Sequence, residues 1–155
     1  SGYSHNRYHP VLHKWKKHLG VDYAAPTGSP VWSVASGKVI HVGYKGANGN
    51  LVTIRHDNGF ISYYAHLSRY ARNLKEGDTV EQKQIIGYVG STGRATGPHL
   101  HFGLKHKGKF VNPQKVKYTM GPSVPANCRD EFDTITSERI KRLQSIVIGR
   151  LNKRS

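Results

Sequence analysis

The chain is poor in acid and nearly free of sulfur: Cys128 is its one cysteine and Met120 its one methionine. A single thiol excludes an internal disulfide and a zinc site built from several cysteines, and it leaves the redox compartment open. No run of 18 apolar residues occurs, so no helical membrane span is expected. The chain begins at Ser1 rather than Met and lacks an apolar signal-like segment, which reads as a mature product or a trimmed chain. Nine Asp+Glu stand against 24 Lys+Arg, a net charge of +15 with a pI near 10.1. That balance favours a polyanionic partner: nucleic acid, an anionic cell envelope or acidic lipid. No recognition helix, zinc finger or RNP-type sequence is present, and the cations are scattered, the densest cluster being "HKWKKH" at 13–18. Specific nucleic-acid binding is therefore not expected.

What is present is strand grammar. At 155 residues the chain has the length of one domain. From Pro30 to Val111, short β-branched or aromatic runs are punctuated by glycine: "SPVWSVASGKVIHVGYK", "NLVTIRHDNG", "FISYYAHL", "TVEQKQIIGYVGS" and "HLHFGLKHKGKFV". Asn58-Gly59 signals a tight hairpin, because both residues tolerate positive φ, and "HKGKF" at 106–110 reads as a second one. The expected fold is mainly β, an antiparallel sandwich or barrel-like core. Two segments, 29–43 and 76–90, resemble each other, each ending in an apolar run and Val-Gly. They read as two similar hairpins in one sheet. A biotinyl or lipoyl carrier would need an acceptor lysine bracketed by Met or Ala, and no such bracket exists. After Asn112-Pro113 the strands stop. The expected organisation is a β-domain over 1–119, a turn-rich linker over 120–132 ("MGPSVPANC" within it) and a helical tail over 133–155. In that tail Ile140, Leu143, Val147 and Leu151 form one stripe.

Ten histidines are many for this length. His5, His9, His13, His41, His56 and His106 lie among polar neighbours and read as surface residues. "TGPHLHFGLK" differs: His99 and His101 are two apart in a strand-like run, so both project from one face. His18 precedes Asp22 by four, and in an extended chain that even spacing again gives one face. Up to residue 120 the acids are Asp22, Asp57, Glu76, Asp78 and Glu81. Only Asp22 lies in an apolar stretch, where a carboxylate needs a partner. His18, Asp22 and one of His99 and His101 make a three-ligand set that leaves one zinc position for water. The other member of the pair, with His66 in "YYAHLS", is left for acid–base work, because no His-Glu-x-x-His helix supplies a glutamate base.

With these strings together the chain resembles the lysostaphin-like, LytM-type zinc endopeptidases of bacterial cell walls. The matching stretches are "HLGVDYAAPTGSPV", "GNLVTIRHDNGFISYYAHLS", "VEQKQIIGYVGSTGRATGPHLHF" and "NPQK", with "GYSHNRYHP" as the usual lead-in. The resemblance implies that His18, Asp22 and His101 bind Zn²⁺, while His66 and His99 flank the attacked water and substrate carbonyl. It also implies a narrow groove for an extended peptide, and a hydrolase acting on peptidoglycan peptide cross-links in the periplasm or outside the cell. The D-Ala–diaminopimelate type is expected rather than pentaglycine. The anionic cell wall suits the positive charge, and the protein is expected to be a monomer. Degenerate members of the family lose ligands and serve as wall-binding or hydrolase-regulating modules; here all five positions are intact.

Overall fold

The computed structural model describes residues 2–9 and 13–116, and positions 134, 137 and 138 further on. The chain divides into two compact units, Ser1–Val116 and Lys117–Ser155. The linker expected over 120–132 and the apolar stripe of the tail lie outside the described residues. Of the tail helix, Thr134, Ser137 and Glu138 are described and helical.

Among its described residues the first unit has eleven strands. β1 (Ser4–His9) and β2 (Lys14–His18) form a two-stranded antiparallel ribbon. The other nine make one sheet: β3 (Val21–Ala24), β4 (Pro30–Trp32), β5 (Gly37–Tyr44), β6 (Asn50–Arg55), β7 (Phe60–Tyr70), β8 (Thr79–Val80), β9 (Ile85–Val89), β10 (His99–His106) and β11 (Lys109–Val111). Neighbours along its main path run β11-β10-β7-β6-β5-β8, with β3 on β10, and β9 linking β7 to β4. All pairings are antiparallel. The fold is mainly β, as expected, but it is not the closed barrel that the strand spacing also allowed: β8 and β11 end the path without meeting.

Both expected hairpins form. Gly59 at φ +78° closes β6 onto β7, and Lys107 and Gly108, at φ +48° and +80°, close β10 onto β11. The two similar segments are more than parallel copies, because they pair with each other. Pro30 and Val31 face Tyr88 and Gly87, while Gly37 and Lys38 face Val80 and Thr79. Neither segment is the hairpin expected of it: β4 pairs with β9 and β5 with β8, so each gives both its strands to the other.

One face of the sheet is the core. Val39, Val52, Ile54, Tyr64, Leu67, Ile86, Val89, Phe102 and Leu104 pack together there, almost wholly buried. Each aliphatic side chain so buried contributes roughly 1.5–3 kcal/mol. Tyr64 keeps its hydroxyl satisfied by accepting from the Val34 amide at 3.0 Å. Along β10, Phe102 and Leu104 point into this core, so His99, His101 and Gly103 belong to the other face.

Candidate metal centre

On that other face β10 lies between β3 and β7. His101 stands directly opposite Asp22 on β3 and opposite Ala65 on β7. Cross-strand partners share a face at the closest spacing a sheet offers. His101 Nδ1 is therefore 2.7 Å from Asp22 Oδ1. His18 joins them with its Nε2 2.9 Å from the same oxygen and 3.2 Å from His101 Nδ1. Its route differs from the sequence expectation. His18 and Asp22 do not share an extended strand; β2 ends at His18, Leu19 and Gly20 break the chain, and β3 starts at Val21. The even spacing is incidental, and the turn brings the two together. Gly20 is required by proximity: a Cβ there would stand 2.6 Å from both His101 Cε1 and the carbonyl of Phe102. Glycine lets the turn press against the imidazole.

Three of the four rings at the site are oriented by a backbone carbonyl, which can only accept. His18 Nδ1–H donates to Gly2 O at 2.7 Å, His66 Nδ1–H to Thr92 O at 2.8 Å and His99 Nδ1–H to Gly97 O at 2.8 Å. Those bonds leave the Nε2 lone pair of all three rings available, the arrangement by which outer-shell partners set a ligand's tautomer. At the cluster, His18 Nε2, Asp22 Oδ1 and His101 Nδ1 converge as three acceptors that could hold a metal ion. Donors about 2.0–2.1 Å from a tetrahedral zinc stand about 3.3 Å apart. The observed 2.7–3.2 Å triangle is close to that size. A cation satisfies three converging lone pairs that no hydrogen-bond donor placed here could serve at once. The electrostatics agree. Burial alone would raise the Asp22 carboxyl, but His101 and His18, which can donate to it only when their facing nitrogens are protonated, hold it well below the usual carboxylate range, so Asp22 stays ionised whether those nitrogens carry a proton or give their lone pairs to a cation.

His99 and His66 lie at the edge of the cluster. His99 Nε2 is 3.9 Å from Asp22 Oδ1, and the His66 ring centroid is 4.7 Å from that of His99 and 5.9 Å from that of His101. His66 arrives by an irregularity. Tyr64 is a core residue of β7, so strict alternation would send His66 into the core as well. Instead His66 takes φ +62°, and the β6–β7 register slips between Asn50 and Val52. Ala65 and His66 thus both face the site and Leu67 returns to the core, a bulge that re-aims one side chain. A non-glycine residue in this region costs about 1–2 kcal/mol. Burial pushes the His66 imidazole below its ordinary value, and the charges of His99 and His101 act the same way, so its neutral form is favoured near pH 7.

The positioning residues escaped the sequence reading. Thr92 is the chief one: its carbonyl holds His66, and its hydroxyl donates to Leu67 O at 2.8 Å and accepts from the Asn50 amide at 2.9 Å. Its signal was the glycine-rich run "GSTGRATG", which marks backbone in close approach but not which carbonyl would be used. The surface assignment of the remaining histidines needs correction. His56 is buried, donating from Nδ1 to Ser36 O and accepting at Nε2 from the Ser62 hydroxyl, both at 2.8 Å. His41 is partly buried against Glu76, with its Nε2 enclosed. His13 is exposed, His106 stacks on Phe60, and the side chains of His5 and His9 lie outside the described residues.

A cavity of about 370 Å³ opens over the cluster, its walls including Lys17, Leu51, Tyr63, Arg94 and Phe110. Among curated proteins, the chain is 40% identical over 144 residues to the peptidoglycan DD-endopeptidase ShyC of Vibrio cholerae, covering 93% of this chain and 33% of that protein. The chain thus spans about a third of that relative's length. Among solved structures it is similar to a zinc-containing peptidase from Vibrio cholerae (38% identity, TM-score 0.70, 77% of this chain and 36% of the other). It is also similar to the catalytic domain of lysostaphin from Staphylococcus simulans (34% identity, TM-score 0.64, 74% and 86%). The family model for peptidase family M23 matches residues 16–113, which include every residue of the cluster, and the chain belongs to that family.

Proposed function

We propose that the protein is a zinc-dependent endopeptidase that hydrolyses peptide cross-links of peptidoglycan, of the type joining D-alanine to diaminopimelate. The observation that carries this reading is the convergence of His18 Nε2, Asp22 Oδ1 and His101 Nδ1, with two further imidazoles beside them in an open cavity. His18, Asp22 and His101 are the residues that would hold zinc. Zinc there would supply Lewis acidity, lowering the pKa of water and polarising a carbonyl. A two-histidine, one-carboxylate set leaves that centre with net positive charge, which suits the role.

The protein's own groups then divide the proton work. His66 is neutral near pH 7 with its Nε2 lone pair directed at the site, so it can take a proton from the attacking water. The charge that develops on its ring is met at Nδ1–H by the Thr92 carbonyl, as a second acceptor orients a catalytic imidazole. His99, held at Nδ1 by Gly97 O, presents Nε2 beside Asp22 and can stabilise the developing oxyanion once protonated or return the proton to the leaving amine. The name of the Vibrio relative, a DD-endopeptidase, supports the choice of bond. The net charge of +15 suits an anionic wall, and the place of action is the cell envelope, periplasmic or extracellular. Among the described residues no helix is long and apolar enough to cross a membrane.

The test is digestion of purified peptidoglycan with muropeptide mass spectrometry, alongside elemental analysis of metal. One zinc per chain and release of un-cross-linked stem peptides is the expected result. A zinc-loaded protein that binds walls and cuts nothing would leave the reading as a non-catalytic module instead.

A further inference from the structure

We propose that Arg94 is a specificity residue, holding the free carboxylate borne by the residue on the amine side of the scissile bond. The inference rests on the peptidoglycan reading above and deepens it. Apart from the histidines and Asp22, the charged residues lining the cavity are Lys17 and Arg94. Asp22 is consumed by His18 and His101. The other acids among the described residues, Asp57, Glu76, Asp78, Glu81 and Glu138, do not line it. The Arg94 guanidinium makes no ion pair and covers no aromatic ring among the described residues. Among the described residues, then, the cavity has on its wall an arginine without an ion pair and no acid left to answer it, an arrangement that suits an anionic group on the ligand.

The segment that carries Arg94 is pinned to the reaction centre. Two residues earlier, the Thr92 carbonyl orients His66, and the Thr92 hydroxyl bridges β6 and β7. Gly93, at φ +72°, packs so tightly that a Cβ would collide with the Gly49 amide nitrogen. The Arg94 amide donates to Ala47 O at 2.9 Å. The base of the arginine is therefore fixed against the neighbouring turn at 46–49, and a fixed base holds a specificity group in register with the catalytic one.

The substrate chemistry supplies what such a group would meet. In a DD peptide bond of the wall, the scissile nitrogen is attached to a D-centre whose own α-carboxylate is free. That carboxylate is one carbon from the bond broken, and a planar guanidinium matches it with two parallel hydrogen bonds. Glycine bridges offer no such anion, so the same contact would favour DD bonds over them.

The experiment uses two synthetic cross-linked stem-peptide dimers, identical except that the amine-side α-carboxylate is free in one and amidated in the other. Binding is measured calorimetrically on the zinc-loaded His66→Ala protein, so the dimers survive, and turnover on the wild type. Expected is tighter binding of the free-acid dimer by about ten- to a hundredfold. Arg94→Gln should abolish that preference by weakening free-acid binding alone, with zinc content and melting temperature unchanged, and Arg94→Lys should restore part of it. Retention of the preference in Arg94→Gln overturns the assignment, as does equal loss on both dimers or its abolition by Lys17→Gln instead. Cleavage decides separately: a wild type that cuts neither dimer, yet loses its binding preference in Arg94→Gln, refutes the proposed endopeptidase and leaves the carboxylate site standing.

Discussion

β10 and β7 lie side by side and bring histidines to one face by opposite means. On β10 the alternation is regular: His99 and His101 face the site while Phe102 and Leu104 face the core. Nothing is strained, and the two imidazoles come with the strand. On β7 the alternation is broken at His66, which takes a left-handed conformation so that Ala65 and His66 both face the site. A regular strand is the cheaper way to place a pair of groups at a fixed separation. A bulge places one group where the lattice of the sheet has no position, at a cost in backbone strain. One proposed ligand, His101, comes from the regular strand and the proposed base from the strained one.

The sharpest break in that comparison is on the ligand side. His101→Ala, Asp22→Ala and His18→Ala should each lose zinc together with all measurable wall cleavage, more than about 10⁴-fold, because a three-ligand set has no spare member. Elemental analysis and muropeptide release measure both; stoichiometric zinc in any of them would remove that residue from the ligand set.

His66→Ala and His99→Ala should keep zinc and lose about 10²–10⁴-fold in kcat. If either lost zinc instead, the division between the proposed ligands and the proposed catalytic histidines would collapse. A milder perturbation is Gly20→Ala, whose methyl must displace the His101 ring or the Phe102 carbonyl. Competition with a chelator should show zinc held about 10–100-fold more weakly.

The bulge itself can be weighed apart from chemistry. His66→Gly and His66→Ala should lose turnover alike, but glycine accepts φ +62° without steric penalty, so it should be the more stable of the two by about 1–2 kcal/mol in denaturant unfolding. Equal stability would mean that β7 straightens once the imidazole is gone. The smallest effect on turnover belongs to His56, which also donates from Nδ1 to a carbonyl yet is enclosed by Ser36 and Ser62, away from the cavity lining. His56→Ala should cost about 1–3 kcal/mol of stability by stranding buried partners, with zinc content and kcat near those of the wild type.

The strands from β4 onward, their antiparallel character and both tight hairpins were legible from the chain, because alternation and turn chemistry are local: a residue's face depends on its neighbours, and Asn58-Gly59 needs no distant contact to turn. The His-x-His pair was legible for the same reason, and so was the value of a lone Asp22 in an apolar run. Which histidine of the pair would meet a metal was not fixed by spacing; the choice of His101 came from family resemblance, and its position opposite Asp22 across β3 and β10 is consistent with that choice. Tertiary structure alone decided the rest. It brought His18 to Asp22 through a turn rather than along a strand, buried His56 that polar neighbours had marked as surface, paired the two similar segments crosswise, and turned His66 out of the core. The spacing of three between Tyr64 and Leu67 was the one local trace of that last event. Local sequence sets which way a side chain points relative to its own strand; which carbonyl orients it, and which other strand lies opposite, is set by contacts as distant as Thr92 from His66 and His101 from Asp22.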